Sequence, residues 1–324
     1  MRFDVFDSTH DPARARMAEN QWKALAVRFQ PAAALEELPR LKYFKQFCAS
    51  KTLRPPHLRI HLVNCWATES LLRRNESELD RDAMKNSLVW AFPQAYYCVF
   101  AATHAYYEVA GFTERASHHA LIKKFGNEVQ AGHYPRTIAI ALTGGPKTLY
   151  SHTNLAPAAN PSLLQSRVET PGWVDAHIRS LLSATREAAL RQWLLDRSNK
   201  KTKNGTRKKR FTAADYAEAS EKHGTTSILS FLYRKRIKSN YHDVDSILAD
   251  PLDAVAILRA IVTVVECINT VHEAFIAKAL GLTAYRSLLD GINARVCGPA
   301  MARFSGISHA CKSVAGENNA GHNA

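Results

Sequence analysis

With 324 residues, 46% of them apolar and 22% charged, the chain is long enough to bury a sizeable core in one large domain or two ordinary ones, and its composition excludes collagenous, disordered and disulfide-stapled classes. Lys and Arg number 43 against 29 Asp and Glu, a formal net charge of +14. A surplus of that size attracts polyanions, nucleic acid first and acidic membrane surfaces second. Six scattered cysteines (Cys48, Cys65, Cys98, Cys267, Cys297 and Cys311) have no metal-ligand spacing and no disulfide framework, so a reducing cytosol with no structural metal or cofactor is expected.

The opening "MRFDVFDSTHDPARAR" has early acids and no apolar segment, so no signal peptide is expected. Helices are predicted over about 13–29 and 32–48, divided by Pro31. After Pro55–Pro56, residues Leu58, Ile60, Leu62, Trp66 and Leu71 form a broad apolar helical face. A long helix over roughly 81–110 repeats Phe92, Tyr96, Phe100, Thr103 and Tyr107 at steps of three and four, with Gly111 at its end. Its apolar stretch from Leu88 to Tyr107 is interrupted by Pro93, Gln94 and His104, which reads as a buried helix and not a membrane span. Ser117 reads as the N-cap of the next helix, because Ser117–His118 has no recognisable acid or oxyanion partner for nucleophilic catalysis.

From Gly144 to Gly172 turn signals replace periodicity, and "GGPKT" lacks the spacing of a phosphate-binding loop. An amphipathic helix follows over 173–195, with Ile178, Leu182, Ala189 and Trp193 in register. The run Arg197–Arg210, basic and free of acids, repels itself and predicts a mobile loop. "TAADYAEASEKHG" is a short helix capped by Thr212 and stopped by Gly224. The clearest helix spans Pro251–Leu280, with Asp250 as N-cap and Gly281 as its stop. His104 and His272 lie on apolar stripes and read as hydrogen-bonded core histidines. No alternating pattern is long enough to demand a sheet, so the class is all-α, with a core expected from Tyr96, Phe100, Tyr107, Leu232, Leu258, Ile261, Val265 and Ile268.

"QAYYCVFAATHAYYEVAG", then "SHHALIKKFG", and later "LSFLYRKRIKSNYHDVD" before the long helix, resemble the signature of HEPN-domain proteins. The resemblance covers a little under half of the chain and rests on short, degenerate motifs. It implies an up-and-down bundle of four long helices that commonly dimerises. On that reading residues 1–52 are an N-terminal helical extension, 53–143 and 224–282 the two halves of the bundle, 144–223 an insertion between bundle helices two and three, and 283–324 a short helix with a disordered tail. Members of the catalytic branch cleave RNA without metal, through an arginine followed four to six residues later by a histidine, with the motifs of two subunits meeting at the dimer interface. Some are toxins or anti-phage effectors, which brings an antitoxin or defence-system partner into view.

Arg236 and His242 have that spacing. Attack of a ribose 2′-hydroxyl on the adjacent phosphate needs a base near neutral pKa, which imidazole supplies, and a planar guanidinium to hold the non-bridging oxygens. The product is a 2′,3′-cyclic phosphate. Asn240, one helical turn from Arg236, is placed to orient it. Arg234, Lys235 and Lys238 are candidate phosphate contacts, as are Lys200, Lys201, Lys203, Arg207, Lys208, Lys209 and Arg210 in the basic run. On a continuous helix Arg236 and His242 lie about 120° apart, so their convergence requires a helix end or a second subunit. "RIKSNY" also fits a variant pattern of the same family in which Tyr241 is structural and nuclease activity is often undemonstrated. The alternative is therefore a non-catalytic module that binds RNA, a nucleotide or a protein.

Overall fold

The computed structural model describes residues 12–51, 55–112, 117–146, 149–156, 161–166, 169–196, 210–241 and 253–320. Apolar residues at helical spacing drive nearly all of it. In chain order the helices are α1 (Pro12–Arg28), α2 (Pro31–Glu37), α3 (Lys42–Gln46), α4 (Pro55–Glu78), α5 (Arg81–Val109), α6 (His118–Gln130), α7 (Pro171–Asp196), α8 (Ala213–His223) and α9 (Ile228–Tyr241). After α9 come α10 (Ala254–Leu280), α11 (Leu282–Asp290) and α12 (Ala294–Ala320). The class is all-α with one small addition. Strands β1 (Ala141–Thr143), β2 (Ser151–Thr153) and β3 (Thr226–Ser227) form an antiparallel sheet ordered β2-β1-β3. Strands of two and three residues are too short to leave an alternating signal, which is why the sequence reading missed them.

Several helix ends follow from local chemistry. Asp80, Ser117 and Thr212 each accept a backbone N–H from the first turn of α5, α6 and α8, and Thr212 and Asp215 complete a capping box. Three expectations change. The helix expected over 32–48 is broken into α2, a 3₁₀ turn at Leu38–Arg40 and α3, because Pro39 cannot continue the α2 hydrogen bonds. The N-cap of α10 is Asp253, whose carboxylate accepts from Ala256 N; the expected cap, Asp250, lies outside the described residues. Beyond Gly281, where a short helix and a disordered tail were expected, α11 and the 27-residue α12 are formed.

The centre of the molecule is α10, buried along almost its whole length and packed against α1, α2, α4, α5 and α12. Among the described residues it is the one helix long and apolar enough to cross a membrane, and its apolar faces are spent on the core instead. Of the expected core, Tyr96, Tyr107, Leu232, Leu258, Ile261, Val265 and Ile268 are buried, each large aliphatic contributing about 1.5–3 kcal/mol. Phe100 is only half-buried, and Ile60 and Leu71, expected on the inner face of α4, are exposed. His272 is a core histidine as expected: its Nε2 lies 3.2 Å from the Tyr134 hydroxyl, and burial pushes its pKa down to about 3.

A buried ionic network crosses this core. Arg303 of α12 donates to both oxygens of Glu69 on α4, at 2.7 and 2.9 Å, and to both oxygens of Glu273 on α10. Trp66, Tyr285 and Asn269 supply further hydrogen bonds to the two carboxylates. Four helices are joined at one point.

Arg186 does similar work on α7. Its guanidinium donates to the carbonyls of Gly144 and Gly224 and to the hydroxyls of Thr226 and Ser220, fastening α7 to the sheet and to the end of α8. Gly144 has φ +83° and an added Cβ there would lie 2.1 Å from the Leu149 carbonyl oxygen. Gly144→Ala is therefore expected to destabilise the chain by at least about 1–3 kcal/mol, from the left-handed backbone alone. Urea unfolding checks this, and an unchanged midpoint would contradict the tight turn.

Candidate functional site

The site is built on α5. Tyr96, Tyr97, Phe100 and His104 follow one another at steps of one, three and four, so they share one side of the helix. The N-terminal turn of α6 brings His118 and His119 to that side, and α9 lays Tyr233 and Arg236 across it. The Arg236 guanidinium carbon sits 5.1 Å from the ring centre of Tyr233, 5.2 Å from that of Tyr97 and 5.4 Å from that of Tyr96. Its Nη1 donates to the Tyr97 hydroxyl at 2.9 Å, while Nε is buried with no hydrogen-bond partner among the described residues. Cation–π contacts of this kind contribute about 0.5–2 kcal/mol. They hold the planar fork in place.

His118 completes the arrangement. Its Nδ1 is 2.7 Å from the Tyr96 hydroxyl and its ring packs against Phe100, with centres 4.5 Å apart. Burial lowers the His118 pKa, and the nearby Arg236 and His119 lower it further. Burial moves the Tyr96 hydroxyl the other way, well above its ordinary range. At neutral pH the pair is therefore a protonated phenol beside a neutral imidazole, with Nε2 of His118 as the nitrogen left for proton transfer. Farther along α5, His104 stacks on His61 of α4, ring centres 4.9 Å apart and planes within 13°. Burial first, then His61 and His118, push the His104 pKa down to about 4. The sequence reading made His104 a hydrogen-bonded core residue. It is instead half-buried and stacked.

The expected site residues fall into four groups. Arg236 lies at the heart of the cluster. Helix α9 runs unbroken through Tyr241, so Asn240 stands one turn beyond Arg236 on the same side of the helix, and Lys238 is also in α9; the side chains of both are outside the described residues. His242, Lys200, Lys201, Lys203, Arg207, Lys208 and Lys209 lie outside the described residues, as does most of the basic run expected to be mobile. Lys235 lies beside two rings, its Nζ 5.6 Å from the ring centre of Phe92 and 5.7 Å from that of Phe231. Its stem covers apolar rings, as long basic side chains do. Arg234 is half-buried on α9, and Arg210 is exposed just before α8.

The sequence reading missed His118, Tyr96, Tyr97 and Tyr233 as site residues. The adjacent pairs Tyr96–Tyr97 and His118–His119 were visible, yet nothing local says that α9 crosses them. Cys65, Glu69 and Cys98 also come together, their ligand atoms within 4.8 Å of one another. They do not suit a metal: the Glu69 carboxylate is already held by Arg303 and Asn269, and burial holds the Cys65 thiol well above its usual range. A cleft of about 550 Å³ beside α1 and β2 is lined by Arg28, Glu37, Arg136, Thr137 and Asn154. Its polar groups are largely tied to one another, Arg28 to the Arg136 and Asn154 carbonyls and Thr137 to Glu37. No family model, curated protein or solved structure matches the chain.

Proposed function

We propose that this protein is a metal-independent endoribonuclease in which Arg236 holds the scissile phosphate. The observation that carries the reading is the Arg236 guanidinium, fixed on three tyrosines with Nε unpaired, beside the His118 imidazole. Transphosphorylation needs a base for the 2′-hydroxyl and an acid for the departing 5′-oxygen. His118, neutral at pH 7, suits the base; His242, which follows α9 directly, then supplies the acid. The base role first assigned to His242 thus passes to His118, and the HEPN-like spacing of Arg236 and His242 supports keeping both. RNA is the expected substrate because the chain carries a net charge of +14.

The active form on this proposal is a homodimer. Ile60, Leu71, Trp90 and Tyr97 are exposed, all from α4 and α5. Neither helix carries a charged residue from Ile60 to Thr68 or from Asn86 to Tyr107. Two strongly basic chains meet at least electrostatic cost through an uncharged, aromatic face. A toxin or anti-phage role, with a matching protein partner, remains part of the proposal by resemblance alone.

The test is incubation of the purified protein with total RNA in EDTA. Cleavage to 2′,3′-cyclic phosphate ends is expected, lost in Arg236→Ala and in His118→Ala. Tight, salt-sensitive RNA binding with no cleavage would instead establish the binding module, a reading favoured by the extent to which Tyr97 already occupies Arg236.

A further inference from the structure

We propose that His57, His61, His104 and Glu108 form a binding site for one divalent transition-metal ion of the zinc class. The site adjoins the Arg236 cluster along α5 and does not rest on the RNA chemistry. Helices α4 and α5 are joined by Leu79 and Asp80 alone, so they run antiparallel and pack along their length. Their register is fixed by Cys65 Sγ and Cys98 Sγ, 3.8 Å apart, and by the His61–His104 stack at 4.9 Å. One turn outward from that stack, α4 carries His57 and α5 carries Glu108. Each helix thus offers a pair of ligand-type residues at i and i+4, the spacing that puts two donors on one helix face.

Three imidazoles and a carboxylate form a donor set suited to zinc, nickel or copper. None of the four side chains is committed elsewhere among the described residues. Glu108 Oε1 is buried with no hydrogen-bond partner, and the His61 and His104 rings have only their ring contacts. A bare buried carboxylate oxygen is costly unless something pairs with it. Among the described residues no three of these donor atoms lie within 4.8 Å of one another, so binding requires the two stacked rings to turn from face contact to converging edges. His118 takes no part, since Tyr96 engages its Nδ1.

The full chain, stripped with EDTA and desalted, is titrated with Zn²⁺ against a chromophoric chelator. One ion per chain is expected. His61→Gln and His104→Gln, close in size to the native side chain, should each weaken binding by at least about tenfold, and Glu108→Gln should weaken it too. Cobalt(II) loading should give visible d–d bands without thiolate charge transfer, and Cys48→Ser should change nothing. No zinc uptake by the native chain, unchanged affinity in the His61→Gln/His104→Gln variant, or loss of binding in Cys48→Ser would each overturn the site. Zinc affinity is read without RNA and RNA cleavage is read in EDTA on the native chain, so the two proposals fail separately.

Discussion

Arg303→Ala should lower the unfolding free energy by about 3–5 kcal/mol, the usual consequence of removing one partner from a buried ion pair. Here the loss strands two carboxylates, Glu69 and Glu273, of which the first is 1% and the second 0% exposed. The pH dependence should also change sign. Burial alone pushes the Glu69 carboxyl up, but Arg303, Asn269 and Arg73 outweigh it and hold the pKa below 4.5. A carboxyl held below its unfolded value adds stability that is complete above the unfolded pKa and disappears as pH falls through the folded one. The native chain should therefore lose stability on acidification below about pH 4.5. Without the guanidinium, burial is left as the main influence, the folded pKa rises above the unfolded one, and the variant becomes relatively more stable in acid. Urea unfolding between neutral and mildly acidic pH reads both effects. Replacing the three charged residues with Leu, Leu and Met should restore only part of the loss, because Trp66, Tyr285 and Asn269 would lose their acceptors. An Arg303→Ala chain as stable as the native one would show that the network adds nothing.

Arg236→Lys should abolish most RNA cleavage while leaving RNA affinity much less changed. Lysine keeps the charge but loses the fork that grips two phosphate oxygens and the flat face that lies on Tyr96, Tyr97 and Tyr233. A loss of about 100-fold to 1,000-fold in turnover is expected, as for removal of a positioned transition-state donor. His118→Ala and His242→Ala should each cost about 100-fold to 10,000-fold. If His118 is the base, the rate falls on the acid side below the ordinary imidazole value of 6.5, because burial, Arg236 and His119 lower its pKa. Arg236→Ala removes one of those influences, so any residual activity should show its acid limb at higher pH. Tyr97→Phe keeps the ring and loses only the hydrogen bond to Nη1, so its defect should be small. Near-native turnover in Arg236→Lys, or cleavage that stops in EDTA, would sink this mechanism.

The helices were legible because their apolar residues recur at helical spacing and their ends carry Gly111, Ser117, Thr212 and Gly281. The small sheet was not, since β3 has two residues and its partners lie far away in sequence. The site was half legible. Arg236 stood out by its spacing to His242, a relation within one segment. His118 did not, because its importance arises only when α9 crosses α5 and α6, and a cap beside Ser117 explained it adequately on its own. Arg303 left no signal at all. An arginine on a C-terminal helix reads as solvated until Glu69 and Glu273 are seen to wait for it.

That wait has a temporal side. Synthesis proceeds from the N-terminus, and the guanidinium that neutralises Glu69 is 234 positions downstream. Until the first half of α12 has been made, Glu69 on α4 has only the partly exposed Arg73 as counter-charge and Glu273 on α10 lacks its Arg303 partner, so the nascent chain must keep that layer open to water or protonate it. Because α4, α5 and α10 share that layer, the tyrosine face of α5 takes its final shape only after α12 has been made. A chain broken off before Arg303 would carry the Arg236 cluster in its sequence without the interior that sets it, so that face of α5 is completed only after the residues of α12 are made.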